Sequence, residues 1–170
     1  MPAPSPENLA LWFARHGPGL VLLARQRLGA DEAEDVVQEV FVKLARLQDI
    51  PRDPAGYLFA AVRNGCRSRL RGRLRRRRRE TVAARDRAGW FEPDESMSLD
   101  AARAEAALRG LPVAQREALV LRLWGGLSVS QAAEALGVGK VTVHRRQQAG
   151  LAALRKAMGV ERTEPAGASR

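Results

Sequence analysis

The sequence predicts an all-α fold of two small helical domains joined by a flexible linker. Three observations carry this. Ala, Leu and Arg dominate the 170 residues, β-branched runs are few, and such a composition favours helices. Apolar residues recur at three- and four-residue spacing in several segments, and no segment makes a convincing strand. Between residues 80 and 98 the periodicity lapses into mixed charge with Gly89 and Pro93, the composition of a linker. The expected division is a first domain over 1–79, a linker over 80–98, a second domain over 99–158 and a disordered tail over 159–170.

The first predicted helix runs from about Glu7 to Leu28, with Leu9, Trp12, Phe13, Leu20, Leu23 and Ala24 on its apolar side. His16-Gly17-Pro18-Gly19 is expected to kink or interrupt it, and Gly29 to close it. The second helix starts from Asp31 as N-cap. Glu32, Glu34 and Asp35 follow where acidic side chains complement the helix dipole. It continues to about Leu47 with Val36, Val37, Val40, Phe41 and Leu44 on one stripe. Asp53 can cap the third helix, with Pro54 in its first turn. That helix holds Tyr57, Leu58, Ala61, Val62 and Leu70, then runs into five consecutive arginines, Arg75 to Arg79. The second domain reads as helices over Leu99–Arg109, Val113–Trp124, Val129–Leu136 and Lys140–Met158. Trp90-Phe91, inside the linker, is expected to dock on a neighbouring element.

The net charge of +10 calls for a polyanionic partner, nucleic acid or an anionic membrane surface. Its distribution says more: residues 1–50 carry net −2, 51–80 net +9, 81–100 net −3 and 101–157 net +6. Two basic segments imply two separate contacts with a polyanion. Cys66 stands alone, so no internal disulfide and no cysteine-based metal site can form. His16 and His144 lie far apart without a carboxylate at ligand spacing. There is no nucleophile with a paired histidine, no phosphate-cradling glycine loop and no metal triad. No catalytic residue, metal or cofactor is therefore expected. The N-terminus lacks the basic-then-apolar pattern of a signal peptide, and no apolar run approaches membrane-spanning length. A cytoplasmic protein without membrane insertion is the expectation.

The sharpest motif spans Ser128 to about Leu154. Gly125-Gly126 ends one helix, Ser128 caps the next, and Gln131 completes a capping box. Ala133 is small where two helices would cross, and Gly137 stands in the turn, where a left-handed backbone is needed. Leu136, Val138, Val141 and Val143 are expected to lock the second helix at its angle. This is the pattern of a helix-turn-helix. Lys140, Thr142, His144, Arg145 and Arg146 then fall near the start of the reading helix. The first four can enter a major groove, while Arg146 and Arg155 can meet phosphates.

A helix-turn-helix that only occupied a site would have no need of residues 1–80. There the acidic helix carries Asp35, Gln38, Glu39 and Lys43 off its apolar stripe. The next helix sets Tyr57, Phe59, Arg63, Asn64, Arg67 and Arg69 close together, and rings beside arginines suit unstacked single-stranded bases. Asp31-Glu-Ala-Glu-Asp-Val-Val-Gln-Glu-Val-Phe-Val-Lys-Leu44 resembles the polymerase-binding helix of bacterial sigma factors. Tyr57-Leu-Phe-Ala-Ala-Val-Arg-Asn64 resembles the segment that reads and melts the −10 element. Leu111-Pro112, Arg116-Glu117 and Gly126 through Arg155 resemble the domain that reads the −35 element. Order, linker and length resemble the compact extracytoplasmic-function group, over roughly residues 8 to 157.

The resemblance implies an alternative sigma factor that binds core RNA polymerase and directs it to particular promoters. It implies Asp35, Gln38 and Glu39 as polymerase contacts. Tyr57, Asn64, Arg67 and Arg69 would lie at the −10 strand, and Lys140, Thr142, His144, Arg145 and Arg146 at the −35 duplex. It further implies promoter DNA as ligand and an anti-sigma factor as a partner. Ser68, Gln147 and Ala149 depart from the family pattern, which there favours an acidic, an apolar and a basic residue. Arg75–Arg79 is expected to hold duplex DNA upstream of the melted region. Two rival readings use the same residues: a helix-turn-helix regulator that acts without polymerase, and an RNA-binding or antitermination protein.

Overall fold

A computed structural model describes residues 3–79 and 99–159, and all regular structure among them is helical. The linker with Trp90-Phe91, and the tail beyond residue 159, lie outside the described residues.

Helix α1 spans Pro6–Arg25, with Ser5 accepting the Asn8 amide at its start. It runs unbroken through Pro18, so the expected interruption does not occur. Proline removes one helical hydrogen bond, but burial of His16, Gly17, Gly19, Leu20, Leu23 and Ala24 on either side of it favours the helical chain. The helix also ends at Arg25, earlier than expected. Gly29 starts α2 (Ala30–Ala45) rather than closing α1, and Asp31 sits in the first turn of α2 rather than at its cap. Asp31 and Glu32 still lie at the positive end of the helix dipole. Val36, Val37, Val40 and Leu44 face the core as the spacing predicted, Ala33 joins them, and Phe41 is only half-buried.

Helix α3 spans Pro54–Arg79, and Asp53 Oδ1 accepts the Gly56 amide at 3.0 Å, the expected cap. Leu58, Phe59, Val62 and Cys66 are buried and bind α3 to α1 and α2. Burial pushes the Cys66 thiol up to about 11, so it is an inert core residue.

The second group comprises α4 (Leu99–Gly110), α5 (Val113–Leu119), α6 (Val129–Leu136) and α7 (Lys140–Met158). The predicted helix Val113–Trp124 is in fact two elements, because Val120–Trp124 widens into a π-helical turn. The Gly125 amide bonds back to the Val120 carbonyl at 2.8 Å. A Cβ on Gly125 would lie 2.6 Å from the Leu121 carbonyl oxygen and 2.7 Å from the Phe59 ring, so no larger residue fits there. That contact also shows how the two groups of helices meet. Helix α1 packs on the π turn and α3 packs on α6. One continuous apolar core runs from Leu20 through Phe59 to Leu121 and Val143. A smaller cluster of Leu108, Leu111 and Leu119 joins α4, α5 and α7.

Candidate nucleic-acid interface

The helix-turn-helix forms as its residues dictate. Ser128 Oγ accepts the Gln131 amide at 3.2 Å, and Gln131 Oε1 accepts the Ser128 amide at 2.8 Å. Gly137 stands at φ +64°, in the left-handed region where an L side chain is strained. Ala133 and Leu136 are buried, and Val143 on α7 is fully buried against them. Val141 is not part of this lock: it is 82% exposed.

Helical geometry explains the difference. At about 100° per residue, Lys140, Val141, His144, Arg145 and Gln148 fall on one side of α7, and all five are exposed. Thr142 and Arg146 fall on the flank and are half-buried. The outward face thus gains Val141 and Gln148, which the residue-type argument missed. The spacing 140, 144, 148 was the signal for Gln148. Gln147, a departure from the family pattern, is half-buried and accepts a hydrogen bond from Arg122 Nε at 3.3 Å. Arg122 also donates to the Leu127 carbonyl, so one guanidinium ties the π turn, the following loop and the reading helix together.

On the first group of helices, Asp35, Gln38 and Glu39 are all exposed on the outer face of α2. Two of them are already ion-paired within the chain. Arg69 Nη1 lies 3.5 Å from Asp35 Oδ2, and its Nη2 bonds Glu39 Oε1. Arg73 pairs with Glu32 in the same way one turn on. Arg69 therefore stands with the acidic side chains of α2, away from Asn64, which is exposed on another face of α3. Tyr57 is half-buried in a cleft of about 520 Å³, whose walls include Asp53 and Ala60 on one side and Glu134 and Ala135 of α6 on the other.

Phe59 and Arg63 are turned inward. Phe59 is fully buried, with its ring edge-to-face to His16 at 6.2 Å between centroids. Arg63 lies at the junction of the two groups, with Nε 3.5 Å from Glu117 Oε1 and a 3.5 Å bond from Nη1 to the Ala135 carbonyl. Arg27 donates to the same Glu117 oxygen from Nε at 3.0 Å and Nη2 at 2.8 Å. Neither Arg27 nor the Glu117 contact was legible in the sequence, since ninety residues separate the partners. Arg75 and Arg76 are exposed near the end of α3, and the side chains of Arg77–Arg79 lie outside the described residues. Among the described residues, no cluster of His, Cys, Asp and Glu could hold a metal ion, and no helix is long and apolar enough to cross a membrane.

An all-α chain that ends in a capped helix-turn-helix with a basic outward face is a DNA-binding protein. The comparisons make this specific. Residues 12–79 match the family model for Sigma-70 region 2, and residues 101–154 match that for Sigma-70 region 4. The fold resembles the sigma factor RpoE from Bartonella quintana, solved in complex with the anti-sigma factor NepR. The TM-score is 0.72 at 26% identity, covering 92% of this chain and 99% of that one. It also resembles CnrH, solved in complex with the cytosolic domain of CnrY. Here the TM-score is 0.60 at 25% identity, covering 93% and 92%. No curated protein sequence matches. The chain belongs to the sigma-70 family, in its extracytoplasmic-function group.

Proposed function

We propose that this protein is an alternative sigma factor that binds core RNA polymerase, brings it to specific promoters and opens the −10 region. One observation carries the reading: both sigma regions occur in order, and each presents an outward polar face fit for its partner. Asp35, Gln38 and Glu39 face solvent on α2 as a docking surface for a basic segment of the polymerase. Tyr57, Asn64 and Arg67 take the −10 strand, the ring stacking on an unstacked base and the cation holding the backbone. Lys140, His144 and Arg145, joined by Val141 and Gln148, read the −35 duplex. An exposed valine suits a thymine methyl, and a glutamine suits adenine. Thr142 and Arg146, on the flank, suit phosphates. The domains supply binding and positioning, without bond chemistry of their own.

The structural relatives are each bound to a partner, NepR an anti-sigma factor by name. An anti-sigma factor is accordingly proposed as a partner here, and the cytoplasm, where polymerase acts, as the compartment. The test is run-off transcription with purified core polymerase on a library of promoter fragments. Defined start sites that appear only with this protein support the reading. Failure to bind core polymerase overturns it and leaves a regulator that acts alone.

A further inference from the structure

A cleft of about 370 Å³ opens where α1 meets the π turn and the starts of α3 and α6. Its apolar wall is formed by Leu11 and Trp12 of α1 with Leu123 and Trp124 of the π turn. Three of these large side chains stay in water: Leu11 is 62% exposed, Leu123 51% and Trp124 45%. An exposed apolar residue standing singly is ordinary, but three around one cleft mark a surface that binds something. Two of them sit on the π turn, a rare distortion that recurs at functional sites.

The polar lining carries both signs of charge. Arg15 is exposed and has no ion pair among the described residues. Asp53 keeps Oδ2 for a ligand, because Oδ1 already accepts from Gly56 and Gln131. His16 lies between them in effect: Arg15 and Asp53 both act on its charge, in opposite senses. It is 8% exposed, and its Nδ1 has no hydrogen-bond partner. Buried polar atoms are nearly always paired, so an orphan beside a cleft points to a partner from outside the chain. Burial holds the imidazole neutral, and a neutral imidazole carries one acceptor nitrogen.

Size narrows the occupant. One turn of helix, about 10 Å wide and 5.4 Å long, fills about 420 Å³. That exceeds the whole cleft, so a docking helix does not fit, whereas the volume lies in the range of small-molecule sites. The charges narrow it further. A ligand with a single charge would meet one like charge in the lining, while a zwitterion satisfies both. Indole faces suit an aromatic ring and also attract an ammonium group.

We propose that this cleft binds a free aromatic α-amino acid, with its carboxylate on Arg15, its ammonium on Asp53 and His16, and its ring against Trp12 and Trp124. The site uses none of the residues assigned to polymerase or promoter, and it does not depend on the sigma reading. Its lining comes from several helices distant in sequence, so a bound amino acid stabilises the folded chain by mass action.

The test is isothermal titration calorimetry of the full chain with L-phenylalanine and L-tryptophan. At least one should bind saturably at a single site, with a Kd below about 1 mM, and should raise the melting temperature. Two analogues of L-phenylalanine then dissect the charges on the parent chain, without any mutation. Hydrocinnamate lacks the ammonium and phenethylamine lacks the carboxylate. Each should bind about tenfold more weakly or worse, since each loses a charge-assisted hydrogen bond. Arg15→Ala should weaken L-phenylalanine by about the same factor and leave phenethylamine unchanged. Trp124→Ala, at a side chain already half in water, should weaken every ligand of the series. Absence of saturable binding by both amino acids overturns the proposal. So does phenethylamine or hydrocinnamate binding as tightly as L-phenylalanine. Binding that neither Arg15→Ala nor Trp124→Ala alters places the ligand elsewhere on the chain and overturns it too.

Discussion

Gln131 Nε2 donates to Asp53 Oδ1 across 2.9 Å, while each residue also finishes the start of its own helix. Two helix caps, one from each domain, are thereby joined by a single bond.

This makes the caps energetically coupled. Asp53→Ala should cost about 1 kcal/mol for the lost cap and about 1 kcal/mol for the bond to Gln131. A double-mutant cycle with Gln131→Ala should show a coupling of about 0.5–1.5 kcal/mol by thermal or urea denaturation. A coupling near zero means that the two domains do not hold this contact in solution.

The ion pairs of Arg69 separate two roles that the sequence ran together. Reversing Asp35 and Glu39 to lysine should weaken core-polymerase binding about tenfold or more, since like charges juxtaposed at an interface cost several kcal/mol. The isolated C-terminal domain should be unaffected. Arg69→Ala should leave −10 opening intact, and polymerase affinity should hold or rise as the carboxylates are freed. A loss of strand opening at unchanged polymerase affinity would return Arg69 to the DNA.

On the reading helix, position predicts kind of contact. Gln148→Ala should relax preference at one base pair of the −35 element by about 1–3 kcal/mol. Arg146→Ala should instead weaken all sequences alike and reduce the salt slope by about 0.9. Binding assays on single-base variants of the −35 duplex distinguish the two. Equal effects on all sequences for both variants would refute the division of the helix into face and flank.

Gly125→Ala should be among the most damaging small changes, because its methyl would meet a carbonyl and the buried Phe59 ring at once. A loss of about 2–3 kcal/mol is expected, by overpacking rather than by backbone strain. A fall in melting temperature well below that of Gly72→Ala, where a Cβ meets open space, checks it.

His16 gives the protein an acid sensitivity. Burial, and then repulsion from Arg15, hold its pKa below the ordinary 6.5, partly offset by Asp53. The unfolded chain therefore binds the proton more readily than the folded one. Stability is fully present above about pH 6.5 and declines as the pH falls below it. His16→Gln should flatten this decline in melting temperature between neutral and mildly acid pH. An unchanged profile would place the sensitivity in other groups.

The helix-turn-helix was readable almost residue by residue, because each of its requirements is local. A cap needs a hydroxyl three residues before its partner, a left-handed turn needs glycine, and a buried stripe needs a period near 3.6. The same local rules misjudged α1, where the Gly-Pro-Gly stretch argued for a break. Packing against Phe59 and the π turn keeps that helix continuous. They also misjudged Val141, since an apolar residue beside a turn reads as core until the rotation of the helix is fixed.

By itself, then, the sequence determined the helical class, the two regions in order, the capping box with its reading helix, and the outward acidic face of α2. These follow from composition and short-range periodicity, which act before the chain is folded. Only the tertiary structure decided which arginines face outward. It gave Arg69 to Asp35 and Glu39, turned Arg63 inward, and brought Arg27 to Glu117 from ninety residues away. Long flexible cations choose partners by distance in space, and no spacing along the chain encodes that distance.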